Sequence, residues 1–354
     1  VSIGIRLFPL QYGPYLSGFD PYFQYRVTDY MVNNGIQSWF TWYDTMTWYP
    51  KGRDIADTSY IGVPLTGAIA YIVAEAFGVS MPLMEFCSIL PAILAGFIVI
   101  MAYFMGKELE NEGVGLLAAL FLGTVPAFIG RTSAGFFDTE SVGFFAMAIS
   151  LLSWIMAMKR DKIRYSIISG TGLAYMCITW GGSIYLLNLY AVYAIIMILL
   201  GKYSRKLLIH YSITIGVGLL LASQIPLFTR KYLISFGTAL PIISMMLLSL
   251  KEVWTNTEDK KARMLGIILI AAIAGGGIIV LDATGQLRAL TGRILSVLNP
   301  FTRGNLALVA SVAEHKTPTW GYIFYEYGAL VIFSAVGLYY LFKRGRENDI
   351  LIAV

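Results

Sequence analysis

Charge is scarce in this chain. Of its 354 residues 13% are charged and 57% are hydrophobic, with a mean hydropathy of +0.68; an ordinary soluble domain carries about 25% charged residues. So little charge excludes a solvated surface wrapped around a single globular core. Cysteine is almost absent. Cys87 and Cys177 each lie inside an apolar run and read as small core hydrophobes, so no disulfide framework is implied. The two histidines are not clustered with each other or with cysteine, which argues against a zinc site. Also lacking are heptads, short repeats, low-complexity tracts and any stretch marking a soluble domain. The alternating polarity of barrel strands, about ten residues per strand, is missing too. The opening VSIGI and the closing ILIAV read as pieces of helices cut short, so a longer protein is expected and the lack of a visible signal peptide carries no weight.

What the chain does have is long apolar stretches. They occur at about 60–79, 86–106, 113–130, 141–158, 165–180, 183–200, 207–227, 232–250, 264–283 and 321–342. Stretches of about 18–22 apolar residues suit a bilayer core about 30 Å thick, so the fold class is an all-α polytopic membrane protein. The net charge of +5 is modest and points to orientation in the membrane rather than to nucleic acid. Basic clusters separate the runs at KRDKIR (159–164), KYSRK (202–206), KEVWTNTEDKKAR (251–263) and FKRGR (342–346). Lysine and arginine collect in cytoplasmic loops, which puts these four inside, and alternating the runs backwards from 131–140 makes KELENEG (107–113) a cytoplasmic turn as well. Three segments then lie outside: a first loop over about 6–85, a second over 131–140 and a late one over 284–320. The 60–79 run has no partner span in this scheme: either it crosses and the N-terminal loop lies inside, or it is a re-entrant or interfacial helix, which its Gly62, Pro64, Gly67, Glu75 and Gly78 suit better. About nine spanning helices remain.

Four carboxylates fall on the outer face. Asp20 stands in GFDPYFQYR (18–26), where the following proline disfavours helix and predicts a chain turn. Asp138 and Glu140 stand in GFFDTES (135–141), seven residues after Arg131, and Glu314 stands in ASVAEH (310–315). Acids near a bilayer cost up to about 3 kcal/mol each. Several on one face repel unless a cation sits among them, and hard oxygen ligands in a D-x-E pattern suit Mg²⁺ or Mn²⁺. Each acid alone reads equally as a solvated turn, a helix cap or an ordinary exposed acid; their shared side is what raises a metal site. His210 is expected at a membrane interface, WFTWYDTMTWYP (39–50) as an interfacial aromatic belt, and GAIAYIVAEAFG and AAIAGGGIIV as small-residue packing faces.

Taken as a set, GFDPYFQYR, WYPKGR (48–53), RTSAGFFDTES (131–141), TWGGSIYLLNL (179–189) and SVAEH (311–315) resemble, in order and topology, the catalytic subunits of oligosaccharyltransferases. Those are the membrane enzymes of asparagine-linked glycosylation, and the version here looks archaeal or eukaryote-like. The resemblance implies a fold of thirteen transmembrane helices with a membrane-associated helix in the first external loop. A soluble C-terminal domain follows in the family and is absent from this chain. The resemblance also implies the site: Asp20, Asp138 and Glu140 around Mg²⁺ or Mn²⁺, Arg131 toward a phosphate oxygen, and Glu314 as a catalytic acid close to the metal and a candidate further ligand. The donor would be an oligosaccharide on a polyprenyl (dolichyl) phosphate or pyrophosphate, and the acceptor an asparagine in N-x-S/T. Membrane lipid surrounds the enzyme, further subunits are possible, and the site faces the extracytoplasmic or lumenal side.

Two departures bear on this. Ala313 stands where the family's SVSE motif has its second serine, and no WWDYG string, the family's reader of the acceptor hydroxyl, occurs. Weak sequon selectivity is therefore expected of this chain alone. Rival readings are a polyprenyl-phosphate-sugar glycosyltransferase that extends a lipid-linked glycan, and a transporter. The D-x-E loop with SVAEH argues against the first, and the near absence of charge within the spans argues against the second.

Overall fold

The computed structural model describes residues 1–228, 236–283, 285 and 318–354. Nearly everything described is helical. The helices are α1 Ser2–Arg6, α2 Phe19–Asn34, α3 Ile55–Thr58, α4 Gly62–Ala76, α5 Leu83–Leu109, α6 Glu112–Thr124, α7 Pro126–Gly130 and α8 Thr139–Arg160. They continue with α9 Ile163–Thr179, α10 Ser183–Leu199, α11 Arg205–Ala222, α12 Phe236–Asn256, α13 Lys260–Ala283, α14 Trp320–Tyr327, α15 Leu330–Arg344 and α16 Glu347–Ala353. One small antiparallel pair, β1 Tyr43–Asp44 with β2 Arg53–Asp54, closes a hairpin in the first loop.

Each apolar run of the sequence yields helix. Four helices, α5, α8, α11 and α13, are long and apolar enough to cross a membrane, and α14 with α15 makes a fifth candidate bent by 83°. This is an integral, multi-span helical protein. The α4 helix has 15 residues, shorter than the ~20 a crossing needs.

The chain divides into two compact units, residues 1–189 with 209–233, and 190–208 with 234–354. In the first, small residues let helices close on one another. A Cβ on Gly172 of α9 would stand 2.8 Å from the Ser150 backbone nitrogen of α8, and one on Gly106 of α5 would stand 2.7 Å from Gly115 Cα of α6. Ser150 and Ser169 exchange hydroxyl-to-carbonyl hydrogen bonds, 2.9 Å each, across the same α8–α9 seam. Such pairs replace the missing hydrophobic drive between helices in lipid. Gly67 of α4 follows the rule against Phe137, 2.7 Å from its would-be Cβ. The AAIAGGGIIV stretch does not: Gly275, Gly276 and Gly277 meet nothing within 4 Å among the described residues.

The ends of α5 and α8 meet in an ionic cluster. Lys159 lies 3.1 Å from Glu108, and Arg160 pairs with the same carboxylate. KELENEG and KRDKIR therefore share one side, as the alternation of the apolar runs predicts. At a rise of about 1.5 Å per residue, the 22 residues of α8 set this cluster about 33 Å from the helix's acidic start.

His210 is buried rather than interfacial, 2.6 Å from Ser166 Oγ through Nδ1 and 2.9 Å from Asp161 through Nε2. The aromatic stretch divides. Trp39 is fully buried and Trp42 stacks on Tyr30 at 3.8 Å, whereas Trp48 and Tyr49 are exposed. Only Trp39 and, in part, Trp42 join the core beside α2; Phe40 and Tyr43 are exposed as well.

Candidate functional site

The site forms where two helices begin. Gly18 turns the chain into α2 with φ +88, a conformation that glycine takes without strain. Asp20 follows in the first helical turn, exposed at the surface. The turn expected at Asp20 thus lies two residues earlier. Pro21 is tolerated there because a first-turn residue has no intrahelical N–H bond to lose.

α8 begins in the same way. Asp138 is its N-cap and accepts the Thr139 amide at 2.7 Å, while the Ser141 hydroxyl donates to the Asp138 carbonyl at 2.8 Å. Glu140 lies in the first turn. Both helices put carboxylates at their positive ends, where the macrodipole favours them.

The 131–140 segment binds the first loop through its backbone. Ser17 N–H donates to the Gly135 carbonyl at 2.9 Å, and Gly135 N–H donates to the Ser88 carbonyl of α5 at 2.8 Å. Gly135 has φ +91, and a Cβ there would stand 2.6 Å from the Tyr15 carbonyl oxygen. Beneath this junction Leu16, Val63, Cys87, Leu90, Phe137 and Val142 form a buried cluster. Residues 16–20 and 135–140 are thereby set side by side.

Asp138 is 9% exposed. Burial pushes its carboxyl up to about 6; the charges on Glu140 and Asp20 add to the rise, while the Thr139 amide and Arg131 oppose it. Asp20 and Glu140 are thus both near enough for their charges to be felt at Asp138. Arg131, the fourth residue expected here, sits 3.2 Å from Glu140 and 5.4 Å over the Phe136 ring. Glu314 lies outside the described residues.

As a cation site the arrangement fits in donor chemistry: hard carboxylate oxygens, one of them buried, with mutual repulsion that a divalent ion would relieve. Among the described residues no group of three or more His, Cys, Asp or Glu side chains is drawn together closely enough to hold a metal.

Two supporting contacts join residues from stretches that stand out in the sequence, although the sequence does not pair them. Arg26 grips Asp44 with both nitrogens, at 2.8 and 2.9 Å, and fastens the hairpin to α2. Arg53, from WYPKGR, is sandwiched between Phe23 and Trp48, each 4.5 Å away. Arg26 and Asp44 stand in different elements, a helix and a strand, so only the fold reveals that they pair.

Comparison with known proteins places this geometry. At 31% identity over 99% of its length, the chain is similar to the dolichyl-diphosphooligosaccharide–protein glycosyltransferase subunit STT3B of Arabidopsis thaliana, of which it covers 49%. It is similar at 30% identity, again over 99% of its length, to the STT3 subunit of Dictyostelium discoideum, of which it covers 51%. The chain thus spans about half the length of the curated relatives it matches. In fold it is similar to the Archaeoglobus fulgidus oligosaccharyltransferase AglB solved with an inhibitory peptide and a dolichol-phosphate, with a TM-score of 0.71 at 18% identity. That likeness covers 99% of this chain and 44% of AglB. The family model described as oligosaccharyl transferase STT3, N-terminal, matches residues 6–353, and the chain belongs to that family.

Proposed function

We propose that this chain is the membrane-embedded catalytic part of an oligosaccharyltransferase. It would move an oligosaccharide from a polyprenyl phosphate or pyrophosphate carrier to the side-chain amide of asparagine in N-x-S/T. The observation that carries the reading is the docking of residues 16–20 against 135–140 through the Ser17–Gly135 and Gly135–Ser88 hydrogen bonds, which sets the helix start bearing Asp20 beside the one bearing Asp138 and Glu140, with Arg131 on Glu140. The activity for which its relatives are named supports the reaction class. A. fulgidus AglB has been solved with dolichol-phosphate, with an NVT acceptor peptide, and with zinc and sulfate, which supports a lipid-linked donor, a sequon acceptor and a metal.

The chemistry follows from two difficulties. An amide nitrogen is a poor nucleophile because its lone pair is delocalised into the carbonyl. A carboxylate such as Asp20, with Glu314 as the family resemblance implies, can hold the NH₂ out of conjugation and accept the proton that it loses. The nitrogen attacks the sugar C1 from the face opposite the C1–O bond, which inverts the anomeric centre, and the phosphate leaves with the electron pair. Arg131 is placed to hydrogen-bond the leaving phosphate with charge assistance. Asp138, Glu140 and Asp20 would hold Mg²⁺ or Mn²⁺, which when bound neutralises charge on that phosphate.

In this reading α6, α9, α10 and α12 cross the membrane as well and α4 does not, giving about nine spans. The segments 6–85, 131–140 and 284–320 then lie on the extracytoplasmic or lumenal face. The test is transfer in vitro from a polyprenyl-linked oligosaccharide to an asparagine-containing peptide, with and without Mn²⁺, for wild type and Asp138→Ala. Metal-dependent transfer abolished by the substitution is expected. Metal-independent transfer that the substitution leaves intact would refute the site.

A further inference from the structure

Arg6 ends α1 with its side chain fully buried. Arginine stays protonated in proteins, so this is a buried cation. Its hydrogen-bond partners are neutral and come from separate elements. Nε donates to Thr132 Oγ1 at 2.7 Å, and Nη1 donates to Gly123 O at 2.9 Å, Ser2 Oγ at 2.8 Å and Ser2 O at 3.1 Å. The guanidinium also lies 4.8 Å from the centre of the Phe128 ring, while Nη2 is buried with no hydrogen-bond partner among the described residues. Neutral partners repay a buried charge poorly, so packing alone is a weak reason for an arginine here.

The partners share a direction. Gly123 is near the end of α6, where carbonyls lack intrahelical donors, and a cation is favoured at that negative pole. Phe128 belongs to α7, which leads into the second loop, and Thr132 directly follows Arg131. The main chain of Arg6 adds to this grip, since its carbonyl accepts the Ala134 amide at 2.8 Å. One residue therefore holds positions 132 and 134 at once, just ahead of Gly135, which meets Ser17 and Ser88.

We propose that Arg6 is a positioning residue that fixes the 131–135 segment, so that Arg131 reaches Glu140 and the donor phosphate. The role assigned to the phosphate rests on the proposed function; the hold on the loop does not. Lysine keeps the charge but has no planar fork, so it cannot reproduce the separate bonds to Thr132 and Gly123.

The experiment uses Arg6→Lys and Arg6→Met in the full-length protein, with two readouts. In hydrogen exchange, amides of 131–137 are expected to exchange about tenfold faster or more in both variants, roughly the protection that one hydrogen bond provides, while α8 is unchanged. Unchanged exchange at 131–137, or an equal rise throughout α8, would overturn the proposal. In kinetics, Arg6→Lys should raise the donor KM several-fold more than it lowers kcat, and the effect should disappear when Arg131→Ala is already present. Equal losses in both backgrounds would mean that Arg6 does not act through Arg131. If wild type transfers no sugar, the functional reading fails while the exchange arm still decides the role of Arg6.

Discussion

The Arg131 guanidinium stands 3.2 Å from the Glu140 carboxylate, spanning the turn that starts α8. Glu140 and a donor phosphate would compete for this one cation. Arg131→Ala should therefore raise the donor KM by about tenfold or more, the scale of a lost charge-assisted hydrogen bond. Stability should hardly move, because Arg131 is 44% exposed and pairs at the surface contribute at most about 1 kcal/mol. Steady-state kinetics beside a thermal unfolding scan check both parts. A lower kcat at unchanged KM would contradict the assignment to phosphate.

Asp138 performs two tasks that substitution can separate. As the N-cap it satisfies the Thr139 amide, and as a carboxylate it supplies negative charge. Asparagine caps helices about as well as aspartate, so Asp138→Asn should unfold close to wild type while transfer falls about a hundredfold or more. Asp138→Ala loses both and should cost about 1 kcal/mol of stability besides. Rates near wild type for Asp138→Asn would remove this residue from the reaction.

Much of this was legible before any coordinates, for identifiable reasons. Continuous apolar runs and basic clusters are local signals, and they anticipated the helices and the shared side of Glu108, Lys159 and Arg160. Asp138 and Glu140 stood out because acids are rare next to apolar runs. Asp20 became informative through topology and resemblance, although its turn fell at Gly18. Arg6 was invisible: a lone arginine near an apolar start reads as interfacial, and its partners Gly123 and Thr132 lie more than a hundred residues away. Trp39 and Trp42 were misread as a belt because composition does not distinguish an aromatic facing lipid from one facing α2.

The Arg26–Asp44 pair gives the first loop its own acid sensitivity. Hydrogen bonding from Arg26 holds the buried Asp44 carboxyl down at about 2, against an ordinary value near 3.8. A depressed folded value stabilises above the unfolded value and is lost as pH falls through the folded one. The window is therefore about pH 4 down to 2, and the contribution at neutral pH is about 2 kcal/mol. Asp44→Asn should lower hairpin stability by a similar amount and flatten its acid response over that window. Limited proteolysis of residues 43–54 as a function of pH measures this; an unchanged profile in the variant would exclude the ion pair as the cause.

Gly135 joins the two loops, and a side chain there meets two obstacles. Its φ of +91 is strained for any residue with a Cβ, and that Cβ would press to 2.6 Å from the Tyr15 carbonyl oxygen. Strain of this kind costs about 1–3 kcal/mol, and backbone, unlike a flexible side-chain tip, cannot step aside. Gly135→Ala is expected to break the Ser17–Gly135 hydrogen bond and to shift Asp20 relative to Asp138. Transfer should then fall by more than the lost stability accounts for. Gly130 is the internal control: it closes α7 without a positive φ, and its would-be Cβ meets nothing within 4 Å. Gly130→Ala should therefore be neutral or slightly stabilising. Transfer rates and unfolding midpoints of the two variants, measured side by side, settle the matter. If Gly135→Ala behaved like Gly130→Ala, the backbone junction could not be what brings the acids together.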